Sequence, residues 1–99
     1  MNRIATHSGD VLKEELEARD ITQKRLSEVL SISYTQLNEI LNGKRPVTSD
    51  FALIVEAALG INPEMLINMQ TRYNMSVARQ KKHLLSRLSE IRRTCAAML

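Results

Sequence analysis

The stretch TQKRLSEVLSISYTQLNEILNGKRP, residues 22–46, decides the fold of this chain. It predicts two short helices, one over residues 23–30 and one that begins after Ser33, with a turn of only three residues between them. Thr22 and Ser33 are suitable N-cap residues, and the Asn42-Gly43 pair is a suitable end for the second of these helices. Two short helices joined in this way are typical of a helix-turn-helix, whose second helix can enter the major groove of DNA.

A helix-turn-helix places further requirements on the residue types within residues 22–46. A small residue must lie where the second helix crosses the first, and Ser27 supplies one. The turn residue that takes a positive φ is Ser31 instead of the usual Gly, a departure that we expect to cost about 1 kcal/mol. Apolar anchors at suitable spacing should hold the two helices at a steep angle: Leu30, Ile32, Leu37 and Ile40.

The rest of the chain also predicts helices. Three Gly and two Pro residues in a chain of 99 leave few turns, which favours a helical protein over a β-sandwich or barrel. The predicted further helices run from about Asp10 to Arg19 with Ser8 or Asp10 as cap, from Thr48 or Ser49 to Leu59, and from Pro63 onward, the last either continuous or broken near residues 74–76.

Composition excludes several classes of protein. No apolar run reaches the roughly 20 residues of a membrane span, and the first ten residues lack the apolar core of a secretory signal, so we expect a cytoplasmic protein without membrane contact. Cys95 is the single cysteine and the two histidines are isolated, so neither a disulfide within the chain nor a metal or other cofactor is expected. No nucleophile–base pair or Gly-rich phosphate loop is present, which makes an enzyme the least expected class.

The net charge of +3 is unevenly distributed along the chain. Residues 1–70 carry seven basic and ten acidic side chains, whereas residues 71–99 carry seven basic side chains and the single acid Glu90. A basic excess of this kind suggests nucleic-acid binding, although a solvated helix face would give the same pattern.

The helix-turn-helix interpretation assigns a role to each outward side chain. Asn38 can bond an adenine edge through its amide, and Thr35 can contact a thymine methyl group. The residues predicted to read bases are Ser33, Tyr34, Thr35 and Asn38. The residues predicted to hold phosphates are Thr22, Gln23, Asn42, Lys44 and Arg45. Lys24 and Arg25 also flank the second helix, where ordinary solvation is an equal alternative, as simple C-capping is for Asn42.

Three segments, in this order, resemble those of the HigA-type antitoxins, which are Xre-like helix-turn-helix proteins. Residues 7–16, HSGDVLKEEL, resemble the HPGE-x-L-x-E opening of that family. Thr22-Gln23 followed by residues 37–46, LNEILNGKRP, resembles the recognition helix and its exit loop, and residues 62–70, NPEMLINMQ, resemble the PE-x-WLNLQ segment. The resemblance covers about residues 6–78. Ser8, Ser31 and Leu66 stand where the family usually has Pro, Gly and Trp.

The helix pattern and the resemblance together predict an all-α fold with a five-helix Xre/lambda-repressor-like helix-turn-helix domain over residues 1–75. Beyond the part that the resemblance covers, the sequence itself predicts a basic amphipathic C-terminal helical extension over residues 76–99. The resemblance implies the antitoxin of a type II toxin–antitoxin module, which binds a RelE-like, mRNA-cleaving toxin and represses its own operon. Because one helix-turn-helix reads only a few base pairs, we expect a homodimer on an inverted-repeat operator. A stand-alone Xre-family regulator without a toxin, and an inhibitor that no longer binds DNA, are the alternatives.

The C-terminal extension carries an apolar seam at spacings of four, three, four and three residues. The residues of this seam are Leu84, Leu88, Ile91, Cys95 and Met98. Two heptads are too short for a stable isolated coiled coil, so the seam must pack against something. The surface of its own domain, a second copy of the chain and a groove of the toxin are the three options.

Overall fold

The computed structural model describes residues 4–98, which form six α-helices and no strand. The helices are α1 (Ser8–Ala18), α2 (Gln23–Leu30), α3 (Tyr34–Leu41), α4 (Ser49–Leu59), α5 (Pro63–Ala78) and α6 (Lys82–Met98). The all-α helix-turn-helix fold is therefore confirmed. The outermost positions of the predicted ranges, residues 1–3 and Leu99, lie outside the described residues.

The predicted N-caps of α2 to α5 are confirmed. The side chains of Thr22, Ser33, Thr48 and Asn62 each accept a hydrogen bond from the backbone N–H three residues later, at 3.0–3.2 Å. Each bond satisfies one of the donors that a helix leaves unpaired in its first turn. The sequence therefore sets where these four helices begin.

Two predicted helix boundaries were wrong. Helix α1 begins at Ser8, two residues before the predicted start, and its N-cap His7 makes no side-chain capping bond. Ser8 is buried inside the first turn and donates to another helix instead of capping its own. The break in the C-terminal helix falls at residues 79–81 and not near residues 74–76, because α5 continues to Ala78.

Four of the described helices end with a residue in the left-handed conformation, and one of these is Gly60 after α4, with φ of 71°. Asp20, Ser31 and Gly43 have φ of 56°, 57° and 74°, and each follows the end of α1, α2 or α3. At each of these ends a backbone N–H donates across five residues, as in the Schellman motif. The positive φ of Ser31 confirms the sequence prediction, whereas that of Asp20 was not predicted.

The core lies among α1 to α5 and is aliphatic apart from one ring, as the scarcity of aromatic residues predicts. Helix α4 packs on α5 and α2, and α3 packs on α1 and α2. The buried apolar side chains are Leu12, Leu16, Leu26, Leu30, Leu37, Ile40, Leu41, Val47, Phe51, Ala52, Val55, Leu59, Ile61 and Leu66. Since all of them fall within residues 12–66, the described part of α6 adds nothing to this core.

Gly9 allows α1 to approach the C-terminal end of α3 closely. A Cβ atom at this position would lie 2.5 Å from the carbonyl oxygen of Leu41 and 2.6 Å from that of Ile40. Both obstacles are backbone atoms, so a side chain could be accommodated only if one helix moved. The packing of α1 on α3 therefore requires glycine here.

Helix α6 projects away from the five-helix body. The described residues measure 57 × 24 × 20 Å and have a radius of gyration of 17.5 Å, against about 13 Å for a compact chain of this length. On the apolar seam of this helix, which we call the α6 seam, Leu84 and Leu88 are half-buried, and Ile91, Cys95 and Met98 are exposed. The option that the seam packs fully on its own domain is not realised in this arrangement.

Candidate nucleic-acid interface

The turn between α2 and α3 fixes the direction of α3. The backbone N–H of Ile32 donates to the Ser27 carbonyl at 3.1 Å, and that of Ser31 donates to the Glu28 carbonyl at 3.2 Å. Ser27 is buried, and its hydroxyl donates to the Lys24 carbonyl at 2.7 Å, so the small side chain is satisfied within its own helix. The three-residue turn and a compact crossing point are those expected of a helix-turn-helix.

The first turn of α3 presents polar side chains to solvent. Tyr34 is 52% exposed, and Thr35 is exposed beside it. Ser33 is exposed too, but its hydroxyl oxygen accepts the Gln36 N–H at 3.0 Å and so caps the helix. Of these three predicted base readers, Tyr34 and Thr35 therefore have the least committed side chains.

Asn38 lies one turn further along α3 and is half-buried. Its side-chain amide donates to the Gln23 side-chain oxygen at 3.0 Å. Gln23 is the first residue of α2, where backbone N–H groups and the helix dipole favour an anion. The structure thus brings together one residue predicted to read bases and one predicted to hold a phosphate.

Both polar atoms of the Asn42 side-chain amide make hydrogen bonds within the chain. Its nitrogen donates to the Asn38 carbonyl at 2.8 Å, and its oxygen accepts from the Lys13 ammonium at 2.7 Å. These bonds close the last turn of α3 and connect it to α1. The C-capping alternative therefore describes this side chain better than the predicted phosphate contact does.

Lys44 and Arg45 are exposed in the loop that follows α3. Both backbone N–H groups donate to the Glu39 carbonyl, at 2.9 and 3.2 Å, which holds the loop against the helix. The Arg45 guanidinium lies 3.5 Å from the Glu39 carboxylate, and an ion pair this exposed contributes little. Both basic groups can therefore move toward an anion at low cost.

The two basic residues of α2 differ in their surroundings. Arg25 pairs with Glu28 at 3.3 Å on an open helix face, which fits the solvation alternative. Lys24 is exposed, and none of the ion pairs among residues 4–98 includes it. Lys24 therefore remains available at the N-terminus of α2, next to Gln23.

Gln70 is a buried polar residue that sequence reasoning gave no separate role. Its side-chain oxygen accepts from the Ser8 hydroxyl at 3.2 Å and from the Val47 N–H at 2.8 Å, and its amide donates to Asn74 at 2.9 Å. It joins α1, the loop before α4, and α5 behind the reading helix. Only the resemblance of residues 62–70 to a family segment marked it, because periodicity does not separate a buried Gln from a solvated one.

The described residues contain no helix long and apolar enough to cross a membrane. Within the same range, no three or more His, Cys, Asp or Glu residues are placed so that they could hold a metal ion.

A helix-turn-helix family profile matches residues 12–66, which is more than half of the chain. The chain belongs to the Xre-like helix-turn-helix family. The match spans the whole interval from α1 to the start of α5, so it includes the turn at Ser31 and every residue of α3.

Individual relatives agree with this membership. Virulence-associated protein I of Dichelobacter nodosus is 34% identical over 79 residues, which cover 79% of this chain and 73% of that protein. An addiction module antidote protein of the HigA family from Coxiella burnetii is 34% identical, with a TM-score of 0.71 over 77% of this chain and 84% of the other. The Pseudomonas aeruginosa antitoxin HigA, solved with the higBA promoter, is 26% identical, with a TM-score of 0.69 over 77% and 83%.

Proposed function

We propose that this chain is the antitoxin of a type II toxin–antitoxin module, which represses its own operon and neutralises a RelE-like, mRNA-cleaving toxin. One observation carries the proposal. The first turn of α3, the second helix of a complete helix-turn-helix, is exposed in a chain similar over 77% of its length to HigA proteins, one of which was solved with its promoter. This function needs no cofactor and is performed in the cytoplasm, where the DNA lies.

Base reading is assigned to Tyr34, Thr35 and Asn38. The first two are exposed at the end of α3 that would enter the major groove. Asn38 keeps its side-chain oxygen free of the bond to Gln23 and can still accept from an adenine amino group. Ser33 can contribute only its hydroxyl proton, because the oxygen already caps the helix.

Phosphate binding is assigned to the two ends of the helix-turn-helix. Thr22 and Gln23 lie at the N-terminus of α2, where unpaired N–H groups and the helix dipole suit an anion. Lys44 and Arg45 extend from the loop after α3 and provide two positive charges. Residues 1–70 carry more acidic than basic side chains, yet this arrangement of the phosphate-binding residues lets the domain bind DNA through one locally basic edge.

A homodimer on an inverted repeat completes the proposal for DNA. One α3 reaches only a few base pairs, so specificity requires two half-sites separated by about one helical turn, roughly 34–36 Å. Toxin neutralisation rests on the similarity to HigA antidotes alone, and no surface of the chain is assigned to it.

The test is a gel shift of the purified full-length chain on the DNA upstream of its own gene, together with inspection of the neighbouring reading frames. Two results would support the proposal. The first is a shifted band that excess scrambled DNA does not abolish. The second is restored growth when the chain is co-expressed with a basic protein encoded by a neighbouring reading frame. Specific DNA binding without a toxin gene would identify a stand-alone Xre-family regulator. Rescue without any DNA binding would identify an inhibitor that has lost its operator.

A further inference from the structure

Helix α4 is apolar on both of its faces. Its inner face places Phe51, Val55 and Leu59 in the core, yet on its outer face Leu53 is 56% exposed and Ile54 is 40% exposed. A helix that is hydrophobic all round is usually buried all round. The outer face of α4 is therefore a surface that needs a cover.

A groove runs between this outer face and the first turns of α5. Leu53, Pro63 and Ile67 line it, and Glu64 lies at its edge. Its volume of about 280 Å³ lies just below the roughly 300–1,000 Å³ of small-molecule pockets, and it is open along its length. These dimensions suit the side chains of a partner helix better than an enclosed ligand.

The surface around the groove is also acidic, and Glu64 lines the groove itself. Residues 47–71 contain Asp50, Glu56 and Glu64 and no Lys or Arg. These three carboxylates are exposed, and none of them takes part in an ion pair among the described residues. An occupant that combines an apolar stripe with positive charge would satisfy both properties of this surface.

Helix α6 has both of these properties. The α6 seam runs along it at heptad spacing, with Ile91 47% and Met98 77% exposed. Four basic residues of α6 have no ion-pair partner among residues 4–98: Lys82, Arg87, Arg92 and Arg93. The chain thus carries a basic helix whose seam is exposed from Ile91 onward and an apolar groove with acidic surroundings that is open to solvent.

The helix is held away from the groove of its own chain. At the end of α5, the N–H groups of Gln80 and Lys81 donate to the carbonyls of Val77 and Ala78 at 3.1 Å each. The described residues extend 57 Å along their longest axis, which fits an α6 that projects from the five-helix body after this turn. The α6 helix of a second copy can reach the groove without opening that turn.

Pairing of one α6 with another is electrostatically worse. With the seam at the two core positions of the heptad, Arg87 and Arg92 take the flanking positions that face each other in a parallel pair. Four arginines would then meet across the contact. Glu64 in the groove and the exposed Asp50 and Glu56 on α4 provide the opposite charge instead.

We propose that two copies of this chain exchange their α6 helices, so that the α6 seam of each lies in the α4–α5 groove of the other. The contact is isologous and occurs twice, so the dimer buries twice the apolar area that one α6 helix buries in one groove. It uses none of the residues assigned to DNA. The inference rests on the homodimer of the proposed function and specifies how that dimer is held.

Cys95, which is exposed on α6, makes the exchange directly testable. A tagged Leu53→Cys/Cys95→Ala chain is co-expressed with the untagged natural chain and oxidised gently. The exchange predicts a disulfide-linked heterodimer, at least tenfold more abundant than with Ala18→Cys/Cys95→Ala, a matched exposed position on α1. Ile54→Cys on α4 and Ile91→Cys on α6, both with Cys95→Ala, serve as a second pair for a different register.

Each other outcome overturns the exchange. A fast-migrating monomer formed by Leu53→Cys in a chain that keeps Cys95 would show that α6 folds back on its own groove. A natural chain linked only through two copies of Cys95 would show α6 paired with α6. If neither reporter pair gives more heterodimer than the Ala18→Cys control on α1, then α6 does not occupy the groove. Gel shifts on the same samples test DNA binding separately, so cross-linked dimers that fail to bind the operator would refute the proposed function and not the exchange.

Discussion

The side-chain amide of Asn38 on α3 donates a 3.0 Å hydrogen bond to the side-chain oxygen of Gln23 at the start of α2. The bond joins the two helices of the helix-turn-helix through the side chains that face the proposed DNA surface. It limits the rotamers of Asn38 before any DNA arrives, and such preorganisation lowers the cost of ordering on binding.

Replacing Asn38 by Ala should weaken binding to the operator by about 1–3 kcal/mol and binding to random DNA only slightly. The reason is that a bidentate or single contact to a base edge is lost while the phosphate contacts remain. Titrations on operator and scrambled duplexes at one salt concentration measure the difference. Equal losses on both duplexes would make Asn38 a structural residue.

Removing Gln23 as well should show that the two side chains act together. In a double-mutant cycle of Gln23→Ala and Asn38→Ala, we expect a coupling energy for operator binding of at least about 0.5 kcal/mol. The matched control is the cycle of Gln23→Ala with Thr35→Ala, since no hydrogen bond connects that pair, and it should be additive. Additivity in both cycles would mean that the Asn38–Gln23 bond plays no part in recognition.

Replacing Lys44 or Arg45 by Ala should weaken binding to all sequences alike. Each neutralised phosphate contributes about 0.9 to the slope of log K against log salt, so each substitution should reduce that slope by about one. Lys81→Ala removes the same charge from the turn between α5 and α6, where no role is assigned to the side chain, and is the control. A slope that Lys44→Ala and Lys81→Ala lower equally would place both effects in the general charge of the protein.

Replacing Ser31 by Gly should stabilise the fold. Ser31 has φ of 57° and ψ of 41°, a conformation that costs a residue with a Cβ about 1 kcal/mol and costs Gly little. The gain, reduced by the greater freedom of Gly in the unfolded chain, should raise Tm by a few degrees, up to roughly 4–8 °C. Gly43→Ala should lower Tm under the same conditions, because Gly43 has φ of 74° and an added Cβ would lie 3.0 Å from the His7 ring. An unchanged or lower Tm for Ser31→Gly would show that its side chain contributes something that the structure does not reveal.

Replacing Gln70 by Ala should destabilise the domain by about 1–3 kcal/mol, because the Val47 N–H and the Ser8 hydroxyl lose their acceptor inside the protein. Urea unfolding measures this loss, with the exposed Gln80→Ala as control. If both variants unfold at the same urea concentration, water must replace the missing acceptor without cost.

Deleting residues 83–99 should leave a cooperatively folding domain. Every buried apolar side chain lies within residues 12–66, so in dilute solution Tm should change by less than about 4 °C. Self-association measured by sedimentation should fall, and Ile91→Lys in the full chain should reduce it in the same way without removing residues. A sharp loss of Tm in dilute solution would show that α6 closes the core of its own domain.

The sequence predicted the features that depend on neighbouring residues. Four N-caps and the positive φ of Ser31 follow from local chemistry, and the three-residue turn follows from the distance between two periodic segments. The start of α1 was misplaced because Ser8 is an N-cap type by composition, yet its hydroxyl bonds to Gln70, 62 residues away. The break after α5 carries no Gly or Pro and so gives no local signal. The bond between Asn38 and Gln23 depends on the crossing of two helices, which periodicity does not specify.

Gly9 lies on the side of α3 away from the proposed DNA surface, yet it determines how that helix is carried. Only a hydrogen atom of Gly9 separates α1 from the carbonyl oxygens of Ile40 and Leu41. If the C-terminal end of α3 tilted toward α1, backbone atoms of the two helices would collide. The reading helix and the helix behind it therefore move as one block. A chain built in this way can adjust to an imperfect operator only by shifting whole subunits. The interface between the two copies therefore determines how well a changed spacer between half-sites is tolerated.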